Sequence, residues 1–291
     1  MNRSRLVKRF KWPLLFLGLV ILFQFTTGCF SFRMSASEVE TYFKDRDKAP
    51  KLEKYKVDDR EIHYAAIGSD SLPTVYFFHG APGSWSAFID FMKNDALLQH
   101  VRLIAVDRPG YGYSNFGNSV VSLKKQAQMF KPLLKKHTNG KPQILVGHSL
   151  GGPIIGQMAL DYPELIDALI MVAPSIDPSL EPEEDWFRYP LQTPFLSWLL
   201  PTSFQVTNEE IYALEHQLQQ LAPQWEKIDQ PVTVIQGGKD LLVDPANAAF
   251  VEEKFKNAPV DIVFKPELNH FIPWKQPRLI EQAILKYALS K

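Results

Sequence analysis

Between residues 143 and 152 the apolar run Gln143-Ile-Leu-Val146 meets Gly147-His148-Ser149-Leu150-Gly151 and continues into a helix-periodic stretch. This pattern constrains the fold more than any other local feature. A strand must turn sharply into a helix within a few residues, and glycines on either side of the turn let the two backbones approach. The Ser149 hydroxyl is then left projecting at the positive N-terminal end of the helix. A bare Gly-x-Ser-x-Gly arises by chance in roughly a few per cent of chains this size. The strand before it and the helix after it make Ser149 a candidate nucleophile rather than an exposed serine in a glycine-rich turn.

The rest of the chain extends the same strand-to-helix alternation. Short apolar runs at 74–78, 102–106, 143–146, 168–172, 232–235 and 261–264 alternate with helix-period patterns at 122–136, 152–161, 245–255 and 277–289. Such alternation predicts an α/β fold, a mostly parallel central sheet with helices on both faces. Pro245 and Pro277 fit first-turn positions of their helices, and residues 56–66 read as an antiparallel hairpin at the sheet edge. The expected domain spans 55–291, with residues 31–54 as a polar linker. One segment breaks the alternation: about 175–227 holds no convincing strand, while Trp186, Phe187, Tyr189, Phe195, Trp198 and Phe204 crowd among several prolines. A connection that long folds on itself or forms a lid. Its aromatic residues are expected chiefly to pack the lid onto the body, with some lining a pocket.

Hydrophobic residues make up 45% of the chain and charged ones 22%, enough for a sizeable core. Thirty-two basic against 32 acidic residues leave no net field to steer a polyanion, which argues against a nucleic-acid partner. The single cysteine, Cys29, excludes an intrachain disulfide framework and a thiolate metal cluster. With no metal cluster and no nucleotide fingerprint, no cofactor is implied.

Cys29 matters through its position. Arg3, Arg5, Lys8, Arg9 and Lys11 precede an apolar run from Trp12 to Phe25, the charged and greasy regions of an export signal, so residues 1–30 are read as an address rather than as fold. Gly28-Cys29 after that run resembles the lipobox of bacterial lipoproteins, which makes Cys29 a lipidation candidate, although Thr26 stands where the motif usually has Leu. An uncleaved N-terminal anchor, an ordinary cleaved signal or a buried helix explains the same residues. The lipoprotein and anchor readings put the protein at the cell envelope, on a membrane outside the cytoplasm.

Four motifs in order resemble the α/β-hydrolase superfamily, in particular the branch holding proline iminopeptidases, epoxide hydrolases, haloalkane dehalogenases and carboxylesterases. Besides the Ser149 turn, His79-Gly80-Ala81-Pro82-Gly83 is similar to the HGxPG oxyanion loop. Asp107-Arg108-Pro109-Gly110-Tyr111-Gly112-Tyr113-Ser114 is similar to the DxRGxGxS turn, though here Arg directly follows Asp. The resemblance, from about residue 56 to the C-terminus, implies an α/β-hydrolase fold with a helical cap insertion at about 175–227. It implies Ser149 as nucleophile, with oxyanion-hole N–H groups from Ala81 and Leu150. The acid comes from Gly237-Gly238-Lys239-Asp240 at the end of an apolar strand, with Asp244 and Asp177 as alternatives. The base is His270 in Asn269-His270-Phe271, the histidine that completes the order Ser149, Asp240, His270. His79 and Asp107 are read as structural, and the ring of His148 is expected to point away from Ser149.

The chemistry expected from these parts is attack of Ser149 on a carbonyl, with His270 taking the hydroxyl proton and Asp240 holding the ring. Serine at the elbow is informative, because the branches that open epoxides or displace halide carry aspartate there. The leading expectation is therefore a serine hydrolase of the carboxylesterase kind acting on a small-molecule acyl substrate and attached to a membrane through its N-terminus. The alternatives are a proline-iminopeptidase-like exopeptidase, in which Glu183 and Glu184 could meet a substrate amine, and a catalytically retired envelope binding protein.

Overall fold

The computed structural model describes residues 30–290, so Cys29 and all of the expected address except Phe30 lie outside the described residues. Eight strands form one sheet in the order β1-β2-β4-β3-β5-β6-β7-β8. They are β1 Lys51–Val57, β2 Arg60–Ile67, β3 Thr74–Phe78, β4 Arg102–Val106, β5 Gln143–His148, β6 Ala168–Val172, β7 Val232–Gly237 and β8 Val260–Lys265. The β1–β2 and β2–β4 pairings are antiparallel and the other five are parallel.

Parallel strands are covered by helices on both faces, so their residues are apolar in both directions. Tyr76, Phe78 and Leu145 pack toward Phe130, Ile154, Met158 and Trp225. Their neighbours Val75, Phe77, Ile144 and Val146 pack toward Trp85, Phe88, Ile280 and Ile284. Full burial of each such side chain contributes about 1.5–3 kcal/mol, which makes the strands the rigid part of the molecule. The first face is covered by α3 (Leu123–Lys136), α4 (Gly151–Asp161) and α9 (Asn247–Lys254); α11 (Pro277–Ala288) covers the second. The hydroxyl of Ser122 accepts from Lys125 N and caps α3.

Two expectations need correction. Residues 31–54 are not a linker throughout: α1 (Ala36–Tyr42) is closed by a capping box from Ser35 and Glu38, and β1 begins at Lys51. The reason is that Val39 and Phe43, four apart and therefore on one helix face, are buried in the core. Likewise the hairpin covers more of the chain than 56–66, because β1 lies at the sheet edge and exposes Lys51 and Lys54, which masked it as a strand.

The cap is helical, as expected: after β6 come α5 (Asp185–Leu191), α6 (Pro194–Ser197), α7 (Thr202–Tyr212) and α8 (Leu214–Leu221). Of the aromatic residues singled out from sequence, Trp186, Tyr189 and Phe195 do not pack it onto the body. Trp186 and Phe195 are each 81% exposed, because α5 packs on α6 and α7 while the buried contacts with the body come from Val206, Leu214, Leu218 and Trp225. The remaining named elements are the short α2 (Asp95–Leu98) and α10 (Ile272–Lys275).

Candidate active site

β5 ends in the turn that the glycines require. A Cβ on Gly147 would lie 2.4 Å from the carbonyl oxygen of Gly151, and one on Gly151 would lie 2.3 Å from that of Phe78. Between them Ser149 is held at φ +54°, a left-handed conformation that costs a non-glycine residue about 1–3 kcal/mol. The surrounding backbone enforces it: Ser149 N donates to Val172 O at 2.9 Å and Gly152 N donates to Ser149 O at 2.9 Å. α4 starts two residues later, so its positive end lies beneath the serine.

Two other strand ends bring the expected partners. Asp240 follows β7 and His270 follows β8, and the His270 Nδ1–H donates to Asp240 Oδ2 at 2.7 Å. The other carboxylate oxygen accepts from the N–H groups of Leu242 and Val243, both at 2.9 Å. Burial would raise the Asp240 carboxyl; the hydrogen bonds and charge of His270 and those two N–H groups outweigh it and hold the acid below its ordinary range. Asp240 is thus kept ionised, with its lone pairs aimed at the imidazole. The alternatives are turned elsewhere: Asp244 accepts from Ala246 N and Asp177 from Ser179 N.

Ser149 and His270 together line two adjoining cavities, of about 510 and 290 Å³. Among the described residues no hydrogen bond joins the Ser149 hydroxyl to the ring; nucleophile and base are commonly looser in unliganded enzymes than in their complexes. Ala81 and Leu150 line the smaller cavity beside the serine, and among the described residues neither N–H is donated to another backbone group. They are therefore available to a developing negative charge.

The two residues read as structural are so engaged. Asp107 accepts from Trp85 N, Tyr113 N and His63 Nδ1 at 2.8–2.9 Å. His79 donates from Nδ1 to Gly80 O at 2.7 Å and accepts from Arg108 N at 3.0 Å, and burial beside the Arg108 charge holds it neutral. His148 has a partner that sequence reading did not name. Its ring lies against that of His270, centroids 4.7 Å apart, and its Nε2–H donates to His270 O at 3.0 Å. Burial, then the neighbouring His270, push its pKa down to about 3.

Sequence reading missed two groups of residues. Arg108, fully buried, donates to both carboxylate oxygens of Glu210 at 2.7 and 3.0 Å, and also to the carbonyls of His79 and Gly80. Tyr111 and Gln126 donate to the same carboxylate, each at 2.7 Å. Cap helix α7 is thereby tied to the backbone immediately preceding Ala81. The displaced Arg of the Asp107-Arg108 motif was the available signal; its partner, 102 residues on, had none. The second group is Glu181, which lines the smaller cavity and accepts from the Ser175 hydroxyl, while burial raises its carboxyl. Of the acidic pair singled out from sequence, Glu184 lines that cavity but is paired to Arg188, and Glu183 is exposed.

Residues 73–206 match the family model described as alpha/beta hydrolase fold. Over 134 residues the chain is 31% identical to epoxide hydrolase 1 of Caenorhabditis elegans, covering 44% of this chain and 32% of that protein. It is 25% identical over 240 residues to a pimeloyl-[acyl-carrier protein] methyl ester esterase of Nitrosospira multiformis, covering 68% of this chain and 88% of the esterase. The chain spans about a third of the length of the first curated relatives it matches. Among solved structures, a bacterial membrane phospholipase A superposes with a TM-score of 0.64 at 20% identity, covering 96% of this chain and 97% of the other. Sheet order, helical cap and these matches make the chain a protein of the α/β-hydrolase fold.

Proposed function

We propose that the protein is a serine hydrolase that cleaves a carboxylic ester through an acyl-enzyme on Ser149. The observation that carries the reading is the Asp240–His270 pair, hydrogen-bonded at 2.7 Å, on the wall of a cavity shared with a serine at φ +54°. His270 takes the hydroxyl proton as Ser149 attacks the carbonyl carbon, and Asp240 stabilises the imidazolium. The oxyanion is received by the N–H groups of Ala81 and Leu150. The imidazolium then protonates the departing alcohol, and water activated by His270 releases the acid. The larger cavity, lined by Phe32, Ala87, Phe204, Leu242, Phe271 and Trp274 among others, offers an apolar wall to the acyl or alcohol chain. A serine elbow disfavours the epoxide chemistry named for one relative, and the ester named for another is consistent with it.

Attachment to a membrane at the cell envelope through residues 1–29, with Cys29 as lipidation site or the apolar run as anchor, belongs to the same proposal. Its support is the sequence alone. Palmitate labelling that survives Cys29→Ser would exclude the lipoprotein form.

A second reading is favoured by Glu181: a half-buried carboxyl in the smaller cavity could receive the free amine of an iminopeptidase substrate. A fluorophosphonate probe tests the nucleophile. Wild type should be labelled and Ser149→Ala should not; equal labelling would overturn the assignment. p-Nitrophenyl esters beside proline p-nitroanilide separate the two readings, the ester reading requiring hydrolysis of the former and failing if only the anilide is cleaved.

A further inference from the structure

Large apolar side chains are left in water on the cap and on the loop that faces it across the smaller cavity, where Glu184 and Arg188 line one wall and Leu241 and Leu242 another. Residues 186–200 hold a single charged residue, Arg188, itself paired with Glu184. Within this stretch Trp186 and Phe195 are each 81% exposed and Tyr189 is 62% exposed. Across the cavities Leu241 is 95% and Leu242 64% exposed, and about half the surface of Phe271 and Trp274 is open. Leu242, Phe271 and Trp274 line the larger cavity, so this apolar rim surrounds an entrance to Ser149. Scattered single exposures need no explanation, whereas several in one fifteen-residue stretch of the cap and more at the walls of the adjoining cavities, with tryptophan and tyrosine among them, are the composition of a surface that meets a membrane interface.

The start of the described chain adds a distance. Phe30 packs on Phe32 and on Phe204 of α7, with centroids 6.5 and 6.2 Å away, and Phe30 O accepts from the Ser203 hydroxyl. The apolar run ends at Phe25, and five residues span at most about 18 Å whatever their conformation. A membrane entered by residues 12–25 therefore lies within about 18 Å of the cap and the cavity mouth. Charge narrows the kind of lipid: residues 175–227 carry nine carboxylates and two basic groups, and with Glu210 buried against Arg108 and Glu184 paired with Arg188 an excess of carboxylates remains, which an anionic leaflet would repel.

We infer that the exposed apolar side of the cap, with the rim at Leu241 and Leu242, docks on a zwitterionic lipid bilayer, so that an amphiphilic ester reaches Ser149 from the lipid phase. This rests on the proposed attachment through residues 1–29, and it names the phase from which the proposed esterase draws its substrate.

The test uses the full chain in phosphatidylcholine vesicles, as wild type, Trp186→Phe and Trp186→Ser/Phe195→Ser, none of these positions lining either cavity. Two measurements are made: quenching of tryptophan fluorescence by phosphatidylcholine brominated on its acyl chains, and hydrolysis of a short water-soluble p-nitrophenyl ester beside a long-chain ester dissolved in the bilayer. Wild type should be quenched and Trp186→Phe should lose that indole's share. The double variant should cleave the bilayer ester at least about ten-fold more slowly while keeping the soluble-ester rate. A quenched fraction unchanged by Trp186→Phe, or equal bilayer-ester rates in both proteins, overturns the docking surface. So does a dimer, seen by sedimentation in detergent, that the double variant dissociates, since the patch then covers a second copy. Failure of the chain to float with vesicles removes the N-terminal attachment and the docking with it. Loss of soluble-ester turnover in wild type instead overturns the esterase reading, while the quenching still decides docking.

Discussion

Replacing Glu210 by Leu leaves the guanidinium of Arg108 fully buried with no counter-charge. Removing one partner of a buried pair costs about 3–5 kcal/mol, because the remaining ion has lost both its solvation and its compensation. Arg108→Met should cost a similar amount, since the Glu210 carboxylate then keeps only the neutral donors Tyr111 and Gln126. The double variant is the informative protein. With both charges gone, Tyr111 retains the Thr207 hydroxyl as partner, Gln126 retains Val120 O, and Gly80 O still accepts from His79. His79 O and Gln126 Oε1 are stripped of their donors, each a loss of about 1–3 kcal/mol that Arg108→Met alone already carries on top of its unpaired carboxylate. Arg108→Met/Glu210→Leu should therefore be more stable than either single variant. Thermal unfolding of the full chain in mild detergent, followed by near-ultraviolet circular dichroism, reads the effect. At about 2–4 °C per kcal/mol for a domain of this size, each single variant should lose roughly 6–20 °C. Single-variant losses that add in the double to within about 0.5 kcal/mol would refute the reasoning, because they would mean that the two groups do not interact.

Further outcomes follow from the site. Asp240→Asn keeps the shape but removes the acceptor for the His270 Nδ1–H, and should lower kcat on a p-nitrophenyl ester by about 10³–10⁴ with fluorophosphonate labelling correspondingly slowed; a loss under ten-fold would dismiss Asp240 as the orienting acid. Gly151→Ala drives a Cβ to 2.3 Å from Phe78 O and should abolish soluble expression, whereas Gly140→Ala, with open space around it, meets only the strain of φ +75° and should express. Stability should fall as pH drops from 6.5. His79 and His148 are held neutral in the fold, so below 6.5 the unfolded chain binds protons that the folded chain does not, until about pH 3 for His148. Each contributes a slope of up to about 1.4 kcal/mol per pH unit, and Asp240, with its lowered pKa, adds a loss only below about pH 3.8. A Tm equal at pH 7 and pH 5 would contradict this.

The strands β3, β4 and β6 were legible because strands buried on both faces are written as unbroken apolar runs: 74–78, 102–106 and 168–172 coincide with them. The β1 strand was not, because an edge strand keeps lysines on its open side and reads as polar linker. That Ser149, Asp240 and His270 sit at strand ends was legible because each lies in a short motif, in the order that the resemblance to the family implies. Arg108–Glu210 was hidden for the opposite reason: a pair 102 residues apart leaves no local pattern, and a carboxylate on a polar helix reads as a solvated face. Trp186, Tyr189 and Phe195 misled because burial is the usual fate of large rings, and composition says nothing of which helix lies beneath them.

The same distinction applies to His148, whose place beside Ser149 gave no sign of its contact with His270. Its ring lies against that of the proposed base and it donates to that residue's carbonyl, so its charge state bears on the proposed reaction. General-base action by His270 creates an imidazolium, and a second positive charge 4.7 Å away in a low-dielectric wall would oppose that step. Burial keeps His148 neutral down to about pH 3, so the opposition is absent wherever His270 can itself act as a base. His148→Asn, which retains a neutral donor for His270 O, should consequently be far less damaging to kcat than His148→Lys. Equal losses in the two variants, with both proteins folded by circular dichroism, would mean that only the shape of the ring matters and not its lack of charge.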